Sequence, residues 1–378
     1  MNFDYMAKYI DTLPSIGVPM ADCVVSYKGE NVFRRSSGYF DVKNKIPVKQ
    51  DSLYNLYSAS KVITVTAAMM LYERGAFLLE DSIAKYIPEF KNMYVKVENA
   101  DGEISYVPAK REISIHDLFT MSAGLTYDLC SDSIKNMQKK TDGRCPTVET
   151  VRAIANEPLI FHPGEHYNYS LCHDVLGALI EICSGMKFGD FLKENIFEPL
   201  GMKNTGFDVN DDIFNRMSCQ YTWENDSAVE ITKDNPYRLG TEYQSGGAGL
   251  VSCADDYIKF AQCLANGGNT KDGKNLISRA TIDLMRQNHM DDVRRKEFKS
   301  NAFGEYTYGL GVRTMDTKNC STSNGSVGEF GWDGAAAAFV LIDPERELAM
   351  YYASHIRNYP GRDIHRRLRN MLYAALEK

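Results

Sequence analysis

Three short stretches of this chain hold residues able to do covalent chemistry on a carbonyl. The first is Tyr57-Ser58-Ala59-Ser60-Lys61. A serine and a lysine three positions apart share one face of a helix. A serine hydroxyl becomes nucleophilic when a neighbouring base takes its proton. A lysine held in a dry site can shed its charge and act as that base. The N-terminal end of the helix adds positive potential and free N–H groups where an oxyanion would form. The spacing alone says little, because Ser82/Lys85 and Ser184/Lys187 repeat it. Ser184 precedes Gly185 at a helix end, and Ser82 lies in a polar turn. Only Ser58 opens a long apolar helix directly after a hydrophobic strand.

The second stretch is Pro163-Gly164-Glu165-His166-Tyr167-Asn168-Tyr169-Ser170, just before a helix pattern over Asp174–Cys183. This puts Tyr169 at a loop-to-helix junction. A tyrosine beside a lysine cation can have a lowered pKa and shuttle a proton. Against this stands the count of 23 tyrosines, most of which must be packing residues. The third stretch is Gly331-Trp332-Asp333-Gly334-Ala335, ahead of a strand pattern over Ala336–Ile342. Glycines flanking a strand edge let a substrate come close to a backbone N–H. A bend in an edge strand accounts for the same glycines equally well.

The elements that must position these residues are legible in outline. A helix is expected over roughly Phe3 to Leu13, ended by Pro14. Ala21–Tyr27 and Val32–Tyr39 are rich in strand formers, with turn residues Lys28-Gly29-Glu30-Asn31 between them, and read as a hairpin. Lys61 to Glu73 has helical spacing of apolar residues. From about Leu79 to Glu230 short helical patterns dominate: Ile115–Met121, Val148–Asn156, Asp174–Cys183 and Phe188–Ile196. Ser252 and Asp255 form an S-x-x-D helix start for Tyr257–Leu264. Strand patterns follow at Thr307–Thr314, Glu329–Trp332, Ala336–Ile342 and Leu348–Ser354, and an amphipathic helix closes the chain. The expected fold is α+β. An antiparallel sheet of five or more strands joins the first two strands to the last ones, covered by both terminal helices. The single catalytic domain then has an α/β lobe (about 1–80 and 240–378) and a mostly helical lobe (about 81–239), with a cleft at their junction.

In that order, Ser58-x-x-Lys61, Tyr169-Ser170-Leu171 and Trp332-Asp333-Gly334 resemble the serine β-lactamase and penicillin-binding-protein superfamily. The likeness is nearest to the class C β-lactamase-related branch, which includes many esterases. Supporting stretches include Ile115-His116-Asp117-Leu118, Phe197-Glu198-Pro199-Leu200-Gly201-Met202, Ser245-Gly246-Gly247-Ala248-Gly249-Leu250 and Tyr308-Gly309-Leu310-Gly311. The resemblance implies Ser58 as nucleophile, Lys61 and Tyr169 as its proton-transfer partners, and the N–H groups of Ser58 and Ala335 as the oxyanion hole. It also implies that Trp332, Asp333 and Gly334 line the substrate. Two positions depart from the family pattern. Leu171 stands where Asn is usual, and Trp332-Asp333-Gly334 stands where Lys-Thr-Gly or His-x-Gly is usual. A cation there would pair with a substrate carboxylate. Trp332 cannot, and Asp333 would repel an anion. The pattern is similar to the esterase-like members.

The expected function is therefore a carboxylesterase on small or medium esters, acting through an acyl-enzyme on Ser58. The alternatives are acyl transfer to an alcohol or amine; amide chemistry as a β-lactamase, D-aminopeptidase or D,D-carboxypeptidase; and a non-catalytic binding protein on the same scaffold. Other chemistries find little support. G-x-S-x-G, H-E-x-x-H and G-x-x-x-x-G-K-[ST] are all absent, and adjacent Cys172-His173 diverge on a helix. Neither metal nor cofactor is expected, and the partner is a small-molecule ester or amide.

A net charge of −7 argues against nucleic acid as a partner. Arg362, Arg366, Arg367 and Arg369 read as a solvated helix face. No run of about eighteen apolar residues predicts a membrane span. The nine scattered cysteines and the missing leader pattern point to a cytoplasmic address with free thiols. Oligomeric state is not readable.

Overall fold

The computed structural model describes residues 1–300, 306–316, 322–360 and 363–377. Cys320, Arg362 and the last residues of the Asn288–Phe303 loop lie outside the described residues.

An eight-stranded antiparallel sheet forms the frame. Its order is Tyr306–Tyr308, Arg313–Met315, Phe330–Gly331, Phe339–Asp343, Leu348–Ala353, Met20–Tyr27, Glu30–Asp41 and Ile46–Pro47. The join between the two ends of the chain is in register at Val24↔Tyr351 and Cys23↔Tyr352. All six residues of Leu348–Ala353 are buried, because both sheet faces are covered. On one face Cys23, Val25, Leu341 and Met350 pack under Met6 and Ile10 of the first helix (Asp4–Thr12) and Leu368 and Leu372 of the last (Asp363–Leu376). On the other face Val24, Val340 and Tyr351 belong to the main core, with the helices Ser60–Glu73 and Ala254–Ala265. The core surrounds the helix Ser60–Glu73, so it is buried nearly all round, with only Tyr72 and Glu73 outside the buried set.

The α+β class and the joined sheet are as expected, and the sheet is larger than five strands. Several local readings are corrected. Cys253, not Ser252, takes the N-cap position of Ala254–Ala265, with no side-chain cap bond. Ser252 is drawn instead into a short strand with Val251, and its hydroxyl pairs with Thr205. Two hairpins interrupt the helical middle: Tyr94–Glu98 with Ile104–Pro108, and Gln220–Glu224 with Ser227–Ile231. The second turns on Asn225 and Asp226, both at positive φ, as a two-residue hairpin loop requires. Arg369 is not solvated. It is buried beneath the sheet, bonded to the Tyr306 hydroxyl and 3.7 Å from Glu329.

Candidate active site

Ser58 lies in a single 3-10 turn, Tyr57–Ala59, that runs straight into the helix Ser60–Glu73. The turn is held at both ends. Tyr54–Asn55 pairs with Val251–Ser252, and the Leu56 N–H donates to the Leu250 carbonyl at 2.9 Å. Beyond the turn, the Leu250 N–H donates to Ser60 Oγ at 3.2 Å. Tyr57 takes a left-handed φ of +47°, which costs a non-glycine residue roughly 1–2 kcal/mol. Its buried side chain offsets that cost. The hydroxyl donates to Gln220 Oε1 at 2.6 Å, and the ring meets Tyr237 edge-to-face. The other two S-x-x-K pairs have local roles. Ser82 caps a 3-10 turn, and Ser184 ends a helix whose Gly185 is left-handed.

Lys61 is completely buried. Its Nζ donates to Ser58 Oγ at 3.3 Å, to the Gly247 carbonyl at 2.7 Å and to the Tyr127 hydroxyl at 3.4 Å. It also lies 4.5 Å from the centre of the Tyr169 ring. Burial pushes its pKa down to about 7, with Asp174 pulling the other way. An appreciable fraction of the amine is therefore neutral at neutral pH, next to the serine.

Asp174 is equally buried and sits behind Gly247. Its Oδ1 accepts from Ser245 Oγ at 2.6 Å and Tyr243 Oη at 2.8 Å. A Cβ on Gly247 would lie 2.6 Å from Asp174 Oδ2 and 3.3 Å from Lys61 Nζ. The carboxyl and the amine thus crowd the same glycine, and burial pushes the Asp174 pKa up. The sequence reading missed Tyr127, Asp174 and Gly247 as neighbours of Lys61. The only available sign was the Ser245–Leu250 stretch, which carried the family likeness without a role.

Tyr169 stands opposite. Trp332 Nε1 donates to its hydroxyl at 3.2 Å, and the two rings stack at 5.7 Å. Tyr127 stacks on Tyr169 at 5.6 Å. The expectation of a lowered phenol pKa is overturned. Burial pushes it up, with hydrogen bonds from Ser58 and Trp332 only partly opposing. Leu171, at the departing position, is buried in the core, so the amine is held by Gly247 and Tyr127 and not by an amide side chain.

The third stretch closes against the first. A Cβ on Gly334 would lie 2.5 Å from the Leu56 carbonyl, two residues before Ser58. Ala335 is exposed beside it, and its N–H has no hydrogen-bond partner among the described residues. Asp333 does not face the site as a free anion. Its carboxylate lies 3.0 Å from the buried Arg313 and 3.5 Å from His365. Burial raises its pKa, but the Arg313 charge and the hydrogen bond from His365 outweigh it and hold the carboxyl below the ordinary range. The expected repulsion of an anion by Asp333 is thereby cancelled.

Cys172 and His173 are both buried. Burial raises the thiol to about 12 and lowers the imidazole, which leaves neither active as a nucleophile pair. No three potential metal ligands cluster among the described residues, and no helix there is long and apolar enough to cross a membrane.

The family model described as Beta-lactamase matches residues 6–375. Protein Rv1367c of Mycobacterium tuberculosis is 30% identical over 324 residues, covering 83% of this chain and 80% of that protein. Esterase EstB of Burkholderia gladioli is 29% identical over 273 residues, 66% of each chain. Among solved structures, EstCE1, described as a hydrolase with promiscuous acyltransferase activity, superposes with a TM-score of 0.79 at 23% identity, covering 98% of both chains. With a family match over nearly its full length, a matching fold and a serine beside a buried lysine, the chain belongs to the beta-lactamase family and is a serine hydrolase.

Proposed function

We propose that this protein is a carboxylesterase for small or medium neutral esters, working through an acyl-enzyme on Ser58. The observation that carries this reading is the pairing of a buried Lys61, its pKa lowered to about 7, with Ser58 Oγ at 3.3 Å. Neutral Lys61 takes the Ser58 proton as Oγ attacks the ester carbonyl. The oxyanion forms against the N–H groups of Ser58 and Ala335. Tyr169 keeps its own proton in this site, which suits it to donate to the departing alkoxide, with Lys61 restoring the proton. Water then releases the acid by the reverse sequence. The cleft lies between an α/β lobe (about 1–80 and 240–378), which supplies Ser58, Lys61 and Trp332, and a mostly helical lobe (about 81–239), which supplies Tyr127 and Tyr169.

The choice of a neutral ester follows from the third stretch. Trp332 replaces a cation there, and the charge of Asp333 is taken up by Arg313. A substrate carboxylate gains nothing at that place. Esterase EstB bears an esterase's name, and EstCE1 is described as transferring acyl groups as well, which keeps alcohol acceptors as a second fate for the same intermediate. A competing alcohol added during turnover separates the two by product analysis.

Intact-protein mass after brief mixing with p-nitrophenyl butyrate tests the reading. The expected result is one butyryl adduct, mapped by digestion to the peptide holding Ser58. Turnover without an adduct there, or an adduct that maps elsewhere, would remove Ser58 from the mechanism.

Asp174→Asn probes the lysine from behind. The amide keeps an acceptor for Ser245 and Tyr243 but carries no charge. Because Asp174 raises the Lys61 pKa, its loss lowers that pKa, and the acid limb of kcat/KM moves to lower pH. A limb that stays in place shows that Asp174 bears no charge toward Lys61.

A further inference from the structure

Asp333 and Ala337 bracket the turn Gly334-Ala335-Ala336, in which Ala335 is exposed and Ala336 buried. Two backbone bonds close that turn: Gly334 N–H to the Ala338 carbonyl at 2.8 Å, and Ala337 N–H to the Gly334 carbonyl at 2.9 Å. Ala337 is left-handed at φ +62°, a conformation that needs support from outside the turn. That support comes from the far end of the chain. His365, on the helix Asp363–Leu376, places Nδ1 3.5 Å from Asp333 Oδ2 and Nε2 3.2 Å from the Ala337 carbonyl. Its ring lies flat on Phe339, with centroids 4.7 Å apart and planes 13° apart. Arg313 holds the other oxygen of Asp333 from below and stacks on Phe339 and Tyr306.

We infer that His365 is a positioning residue: with Asp333 and Arg313 it braces the turn that presents the Ala335 N–H to the reacting carbonyl. Both atoms facing the ring nitrogens, Asp333 Oδ2 and the Ala337 carbonyl oxygen, are acceptors. A single side chain then ties the two ends of the turn to the sheet and to the terminal helix. This explains why an acidic residue is tolerated in the third stretch. Asp333 is a tether turned away from the substrate.

The inference rests on the acyl-enzyme reading above, since it concerns where that reaction's oxyanion forms. A donor aimed at the oxyanion acts in the transition state and little in the ground state. Loosening the brace therefore lowers kcat and spares KM, whereas loss of a substrate contact raises KM.

His365→Phe keeps a ring on Phe339 and removes both ring nitrogens. With p-nitrophenyl butyrate, kcat is expected to fall about tenfold or more, as for a small misplacement of a catalytic group, with KM unchanged. Labelling of Ser58 by a fluorophosphonate slows by a similar factor. Asp333→Asn should repeat the pattern from the other side of the contact, and it decides alone if circular dichroism shows that His365→Phe does not fold. An active wild type with kcat unchanged in these variants, or with a change confined to KM, overturns the brace and leaves the esterase reading standing. A wild type that neither turns over the ester nor forms the adduct overturns both.

Discussion

Methionine in place of Lys61 will silence Ser58 and, in the same protein, raise the melting temperature at neutral pH. Both effects come from one cause. The amine is fully buried, and burial brings its pKa from the ordinary 10.5 to about 7. The unfolded chain keeps that proton up to its own, higher pKa, so folding must either release a proton or bury a charge. The sign follows directly: the cost is complete below the folded pKa, shrinks as pH rises through the window from about 7 to about 10.5, and vanishes above it. At pH 7 the cost is about 4 kcal/mol. Methionine has a similar length and no charge, so it avoids that cost. It also leaves the Gly247 carbonyl without the donor it has at 2.7 Å, so the net gain is smaller than the full figure. Activity moves the other way. Members of a catalytic unit fail together, and losing one costs on the order of 10⁴-fold or more. Thermal unfolding at pH 7 and pH 9, beside p-nitrophenol release, checks both halves. The stabilisation should be smaller at pH 9 than at pH 7. A melting temperature that falls at pH 7 would mean that burying Lys61 carries no net cost, and ester turnover that persists would mean that Lys61 is not the base.

Gly334→Ala is the second large effect, and it arises from sterics alone. The added Cβ would meet the Leu56 carbonyl at 2.5 Å and the Ala338 Cβ at 3.0 Å. The first is backbone between the short strand Tyr54–Asn55 and the turn that carries the nucleophile, and no side chain can swing aside to relieve it. The turn carrying Ala335 must therefore move away from Ser58. A displacement near 1 Å costs about a hundredfold in rate, so kcat should fall by that order while the sheet stays intact. Gly206→Ala is the matching control, because a Cβ there meets nothing within 4 Å. A Gly334→Ala enzyme with wild-type kcat would show that the turn takes no part in the chemistry.

The reactive pair was legible because it is local. Ser58 and Lys61 are neighbours through helical geometry, and the apolar run behind them announces a buried helix. Tyr169 and Trp332 were legible only through the order of three motifs. Nothing between positions 169 and 332 in the chain encodes that their rings stack at 5.7 Å. The hairpin at Gln220–Ile231 was missed although its Asn225-Asp226 turn is a recognisable signal, because the short helical patterns around it dominated the reading.

What the sequence determined by itself was the class of fold, the strands at both ends of the chain, and a serine and lysine on one helix. These follow from period and spacing, which are properties of neighbouring residues. Only the tertiary structure decided the electrostatics. The Tyr169 phenol rises where a nearby lysine argued for a fall, because the phenol itself is buried. Asp333 turns from an anion in the cleft into a paired tether, because Arg313 and His365 reach it from the neighbouring strand and the last helix. Arg369, on a helix face that read as solvated, lies buried against Glu329. Charge and desolvation depend on every group packed around a site, and that packing brings together residues far apart in the chain.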